Sequence, residues 1–148
     1  MNITKNFTLA EAVVTHTGLN NVIPNEIIMN NVQQVAKHIL QPLRDWYGKP
    51  IKVNSWYRTP QVNAAVKGSD TSHHLTGKAV DITAGSVEEN KKLFNYIKDI
   101  LLFDELIWEF GGRWVHVAYS ADKPNRQRIK VAKRRKNGEI YYEQVLGI

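Results

Sequence analysis

Apolar residues recur at steps of three and four from Ile28 through Val32, Val35 and Ile39 to Leu43, and beyond Gly48 the period shortens to two. A chain that changes period in this way has to pack helices against a sheet. The first stripe predicts a long amphipathic helix from Pro24 to about Tyr47, bent at Pro42 and ended by Gly48. Ile51–Ser55, Lys78–Ile82, Leu106–Phe110 and Trp114–Ala118 read as strands, and Gly111-Gly112 makes the last two a tight antiparallel pair. In Lys78–Ile82, Ala79 and Asp81 alternate with Val80 and Ile82, the pattern of a strand with one buried face. Arg128–Lys136 and Glu139–Val145 flank Asn137-Gly138, which predicts a closing hairpin with a type I′ turn. Thr8 with Glu11, and Ser86 with Glu89, have capping-box spacing; the second opens a helix whose stripe is Leu93, Ile97, Ile100 and Leu101. A short helix over Val62–Val66 is stopped by Gly68. The predicted class is α+β, a small, largely antiparallel sheet packed with helices. It forms a single domain over residues 1–148 with a basic hairpin at about 123–148.

Composition narrows the chemistry. The 148 residues contain no cysteine, so thiol nucleophiles, disulfides, iron–sulfur clusters and thiolate zinc fingers are all excluded, and any metal must be held by His, Asp or Glu. No run reaches 18 apolar residues and Met1–Asn20 has no apolar core after a basic start, so the expectation is synthesis in a cytoplasm without a signal peptide.

Of the five histidines, three fall where the pattern becomes specific. Ser72-His73-His74-Leu75-Thr76-Gly77-Lys78-Ala79-Val80-Asp81 enters a strand through a glycine turn and sets an imidazole and a carboxylate near the same sheet end, with Gly77 and Ala79 leaving room. His116 shares a strand face with Trp114 and Ala118, opposite Val115 and Val117, and projects from a neighbouring strand. Two His and one Asp are three ligands with a vacant fourth position, which describes a catalytic zinc site rather than a closed structural one. His16 and His38 belong to helical segments and need no function, and His73 reads as a neighbour of the site or as exposed. Ser72, His74 and Asp81 do not make a hydrolase triad, because they crowd one short segment and no Gly-x-Ser-x-Gly elbow exists.

The set His74-x-x-Gly77-x-Ala79-x-Asp81 followed by Trp114-Val115-His116 resembles the zinc signature of the M15 metallopeptidases. These are the D-alanyl-D-alanine carboxypeptidase and phage endolysin group, whose fold is shared by Hedgehog signalling domains. The resemblance extends upstream to Gln41-Pro42-Leu43-Arg44 and to Ser55-Trp56-Tyr57-Arg58-Thr59-Pro60 through Asn63, and covers about Phe7 to Tyr119. It implies one Zn²⁺ per chain on His74, Asp81 and His116, and Arg58 on a substrate carboxylate or carbonyl. Trp56, Asn63 and Ser72 would flank the substrate; Trp56 stands where relatives often carry glycine, a departure that bears on the groove and not on the metal.

The chemistry agrees with that assignment. Zinc lowers the pKa of a bound water from 15.7 to about 7 and polarises the scissile carbonyl, a carboxylate shuttles the proton to the leaving amine, and a guanidinium fork suits a peptide carboxylate. Many relatives place an acid three positions before the last zinc histidine, and here that position is Arg113. The candidates for the base are therefore Glu109, Glu105 and Asp104. Glu109 is the choice, because pairing across Gly111-Gly112 would bring it beside the metal.

From Lys123 to Lys136 the chain carries eight basic residues and no acid. A solvated hairpin face is one reading; a patch for anionic wall polymers is the functional one. Nucleic acid is the less favoured partner, since no helix-turn-helix, zinc finger or RNP motif is present. The function expected is a zinc peptidase hydrolysing peptidoglycan stem peptides, as a D,D-carboxypeptidase or endopeptidase of a phage or prophage lysis system acting on the cell wall. The alternatives are a zinc-containing wall-binding or virion component that cuts nothing, or a basic nucleic-acid-binding module.

Overall fold

The computed structural model describes all 148 residues and is α+β. Its strands are β1 (Asn2–Thr4), β2 (Phe7–Thr8), β3 (Lys52–Ser55), β4 (Ala79–Thr83), β5 (Glu105–Glu109), β6 (Trp114–Ala118), β7 (Arg128–Arg134) and β8 (Ile140–Gln144). The helices are α1 (Leu9–Ala12), α2 (Glu26–Val35), α3 (Gln41–Tyr47), α4 (Pro60–Ala65) and α5 (Val87–Ile100). β1 and β2 form a small antiparallel ribbon, and the other six strands form one sheet in the order β3-β4-β6-β5-β7-β8. No helix is long and apolar enough to cross a membrane.

The sheet is mixed. Its pairs are antiparallel except β5–β7, which run parallel because the chain passes from β6 around the sheet end and returns on the far side of β5. The final hairpin departs from the expected type I′ turn. Only Gly138 takes positive φ (88°), and the Gly138 amide donates to the Arg135 carbonyl, so the loop is a type I turn closed by a left-handed glycine.

The helical stripe is legible in the structure, but Pro42 does not simply bend it. Proline lacks the amide that would donate to the carbonyl four residues back. Residues Ala36–Leu40 take up the mismatch as a π-helical turn, in which the Gln41 amide donates to the Ala36 carbonyl, and α3 continues to a left-handed Gly48. Val32, Val35, Ile39, Leu40 and Leu43 stay fully buried through the junction. They pack with Leu93, Phe94 and Ile97 of α5 against Val80, Ile82, Leu106, Val115 and Val117 of the sheet. Each such aliphatic side chain contributes about 1.5–3 kcal/mol of burial.

With its helices on one face, the sheet leaves the other face to the cleft. β4 departs from the expected single buried face: Val80 and Ile82 enter the core, while Ala79 and Asp81 are buried on the cleft side as well. His16 lies in the loop after α1 rather than in a helix. His38 sits in the π-turn, stacked on Tyr119 at 4.7 Å.

Gly77 ends the 3-10 turn His73–Thr76 with φ +76°, but the room it leaves is not around the ligands. A Cβ there would lie 2.9 Å from Val32 Cγ2 and 3.2 Å from the Ile28 carbonyl oxygen, so the glycine seats the turn directly on α2. Gly77→Ala is therefore expected to destabilise the fold by about 2–4 kcal/mol, from left-handed strain plus overpacking. Urea unfolding checks it; a loss under about 1 kcal/mol would show that α2 yields freely.

Candidate metal centre and cleft

Three elements bring the metal-ligating candidates together. Ser72 caps the 3-10 turn by accepting the His74 amide, the turn carries His74, and β4 pairs with β6 so that Asp81 lies opposite His116. His74 Nε2 is 3.2 Å from Asp81 Oδ2, and His116 Nδ1 is 2.9 Å from Asp81 Oδ1. All three residues are buried, and their ligating atoms lie within 4.8 Å of one another. Two ligands on a tetrahedral ion with bonds of about 2.0–2.1 Å stand about 3.4 Å apart, so the donor set fits a single divalent ion with little rearrangement.

Tautomer and charge also fit. His74 Nδ1 is 2.6 Å from the Trp56 carbonyl. A carbonyl only accepts, so Nδ1 carries the proton and Nε2 turns a lone pair to the centre, the outer support that orients metal-bound imidazoles. Burial pulls the His74 imidazole below its ordinary range, against the opposing pull of the Asp81 carboxylate. Burial acts on His116 too, but its hydrogen bond to Asp81 and that carboxylate's charge outweigh it and raise the imidazole. Burial alone would raise Asp81; the His74 and His116 imidazoles against its two oxygens outweigh that and hold it far below the usual carboxylate range. Asp81 is thus an anion ready for a cation.

Arg58 reaches the same place from the loop before α4. Its Nη2 is 3.3 Å from Asp81 Oδ2, Nε donates to Ser55 Oγ at 2.9 Å, and Nη1 donates to Asn63 Oδ1 at 3.3 Å. Asn63 is buried, and its amide nitrogen donates to the Ser69 carbonyl. It therefore braces Arg58 and does not face a substrate, contrary to the sequence expectation. Trp56 is also corrected: its indole is fully buried in the core, with no part in the groove, and only its carbonyl serves the site. Ser72 does line the cleft, although its hydroxyl is engaged by the His74 amide.

The cleft has a volume of about 470 Å³ and contains Arg58, His74, Asp81, His116, Glu105 and Glu109 together. Geometry separates the three carboxylates considered as a base. Asp104 accepts two side-chain hydrogen bonds from Arg126, at 2.9 and 2.8 Å, and one from its amide. Glu105 is held by Lys130 at 2.7 Å. Glu109 has no ion pair or hydrogen bond, is 7% exposed, and lines the cleft. Burial pushes its carboxyl up to about 7, with the His116 and Arg58 charges opposing and those of Asp81 and Glu105 adding.

The sequence reading missed the far wall. Arg126, Arg128, Lys130, Ile140 and Tyr142 of the C-terminal hairpin region line the cleft, as do His73 and Phe110. The alternation Arg128, Lys130, Ala132, Arg134 was the available signal, since period two sends these side chains to one face. Between Lys123 and Lys136 the charge run is therefore not one surface.

No curated protein matches the chain. The family model Peptidase M15 matches residues 5–118, which include every residue of the buried His-Asp-His group. With most of its length and its metal-ligating geometry inside that match, the chain belongs to the peptidase M15 family of metallopeptidases.

Proposed function

We propose that the protein is a zinc-dependent hydrolase of peptide bonds in peptidoglycan stem peptides, a D,D-carboxypeptidase or endopeptidase of a phage-type lysis system working at the cell wall. One observation carries the reaction type: the cleft sets an unpaired, buried carboxylate, Glu109, among the same lining residues as the His74/Asp81/His116 group and Arg58. Family membership supports peptide substrates, and the resemblance to carboxypeptidases and endolysins supports the wall as their source.

In this reading His74, Asp81 and His116 hold the ion, which when bound supplies Lewis-acid polarisation of the carbonyl and an acidified water. Arg58, fixed by Ser55 and Asn63, offers its guanidinium to the peptide carboxylate or carbonyl and orients it. Glu109 takes the proton of the attacking water and returns it to the leaving amine, a role that needs a carboxylate free of other partners. Asp104 and Glu105 are spent on Arg126 and Lys130 and keep the hairpin wall in place.

Purified sacculi incubated with the protein and zinc are expected to release new amino and carboxyl termini, and a chelator should stop the release. Mass analysis of the digest names the bond. Inert sacculi from several wall types, with a loaded metal site, would replace this reading by a wall-binding role without hydrolysis.

A further inference from the structure

The β7–β8 hairpin lies wholly beyond the residues matched by the family model, yet it walls the cleft. Directly opposed residues of neighbouring strands project from one face. Across β5–β7, Glu105 opposes Arg128, Ile107 opposes Lys130 and Glu109 opposes Ala132; across β4–β6–β5, Asp81 opposes His116 and His116 opposes Ile107. Arg128, Lys130 and Arg134 therefore share the face of the metal-ligating group. Lys133 takes the other face, where it meets Glu143 at 3.1 Å.

Pairing then separates the cleft-facing cations. Lys130 is neutralised by Glu105, Arg126 is forked onto Asp104, and the Arg134 guanidinium stacks on Phe110 at 4.6 Å. Arg58 is held by Asp81. Two cations that line the cleft, Arg128 on β7 and Lys67 in the loop after α4, are exposed to solvent and have no acidic partner; of the two, only Arg128 carries a guanidinium fork and stands on a strand of the sheet. It stands two inter-strand spacings from His116 and one pleat along, roughly 10–12 Å away. Allowing for the reach of its side chain, that is the span of two or three residues of extended peptide. The opposite end of the cleft is built differently, from Phe110, Trp114 and Tyr142. The cleft is thus polarised, with a free guanidinium at one end and aromatic surface at the other.

We propose that Arg128 binds a second carboxylate of the substrate, two or three residues from the scissile bond, and so makes the enzyme selective for acidic peptides. The proposal rests on the peptidase reading above and deepens it by naming the substrate class. An unpaired guanidinium on a rigid strand gives such a carboxylate two parallel hydrogen bonds, while an amide in its place meets only donors and loses the charge. The strand also explains the alternation within β7: Arg128 and Lys130 line the site, and Lys133 on the other side is paired surface.

The test uses two synthetic stem peptides that differ in one group, a γ-linked D-glutamate with its α-carboxylate either free or amidated. Binding is read by calorimetry on zinc-loaded protein in a Glu109→Gln background, and kcat/KM on the otherwise unmodified enzyme. The acid form is expected to bind about tenfold more tightly and to show a matching preference in kcat/KM. Arg128→Gln should abolish the preference, and Lys133→Gln, an equal loss of charge on the opposite face, should leave it intact. Equal binding of the two peptides, or a preference that survives Arg128→Gln, overturns the proposal, and if both are nonetheless cleaved the peptidase reading stands. A preference in binding with cleavage of neither peptide upholds the role of Arg128 and sinks the reaction. No measurable binding of either overturns both.

Discussion

His116→Ala is expected to strip the chain of its divalent ion while leaving it folded. The imidazole lies on the cleft face of β6, opposite Asp81, whereas Val115 and Val117 on either side of it enter the core. Truncation therefore opens space toward the cleft rather than a void among packed side chains. Asp81 retains Arg58 at 3.3 Å and His74 at 3.2 Å, so the cost to the metal-free fold is that of one charge-assisted hydrogen bond, about 1–3 kcal/mol. The cost to the ion is larger, because two ligands cannot hold what three were placed to hold. Elemental analysis should find about one zinc per wild-type chain and almost none in the variant. The thermal midpoint gives a second readout. Free zinc at 100 times its dissociation constant stabilises a folded protein by about 2.7 kcal/mol, which in a chain of this size raises the midpoint by roughly 5–10 °C. That rise should be present in the wild type and absent in His116→Ala. A wild-type protein that takes up no divalent ion and shows no shift would remove the metal centre, and the hydrolytic reading with it.

The clustering of His74, Asp81 and His116 was legible because it depends on order and alternation alone. His74, Gly77, Ala79 and Asp81 fall in one short segment, and period two puts His116 on the cleft side of a strand whose other side is valine. What escaped the sequence depends on which strands become neighbours. The parallel pairing of β5 with β7 sets Arg128 and Lys130 beside Glu105, and no local pattern states that the chain returns to that side of β5. Trp56 and Asn63 were misread for a related reason. Their neighbourhood in sequence to Arg58 suggested the groove, but the extended segment after β3 turns the indole inward and leaves only its carbonyl to His74. Asn63, on α4, points back at Arg58. The π-turn was likewise invisible: a proline in a helical stripe reads as a kink, and only the continued burial of Ile39, Leu40 and Leu43 requires the helix to go on past it.

Glu109→Gln is expected to keep the ion and lose about 10²–10⁴-fold of the hydrolysis, since the amide fills the same space and cannot carry a proton. The same substitution should act on stability with the opposite sign. In metal-free protein the folded carboxyl titrates at about 7 against an ordinary 4.5, so between those values the folded chain holds a proton that the unfolded chain has lost. Stability from this group therefore falls as pH rises from about 4.5 to about 7. Above that window, burying the ionised carboxylate costs about 3 kcal/mol. In a chelator, Glu109→Gln should match the wild type at pH 4 and exceed its stability by up to about 3 kcal/mol at pH 8, as read from urea unfolding. A bound cation favours the ionised form. Zinc-loaded wild type should thus lose activity on the acid side with an apparent pKa below 7, a limb absent from the residual rate of the variant. Hydrolysis at the wild-type rate by Glu109→Gln would move the base to Glu105, which Lys130 would then have to release. Reduced hydrolysis without the stability gain at pH 8 would mean that the carboxylate is better solvated than its 7% exposure indicates.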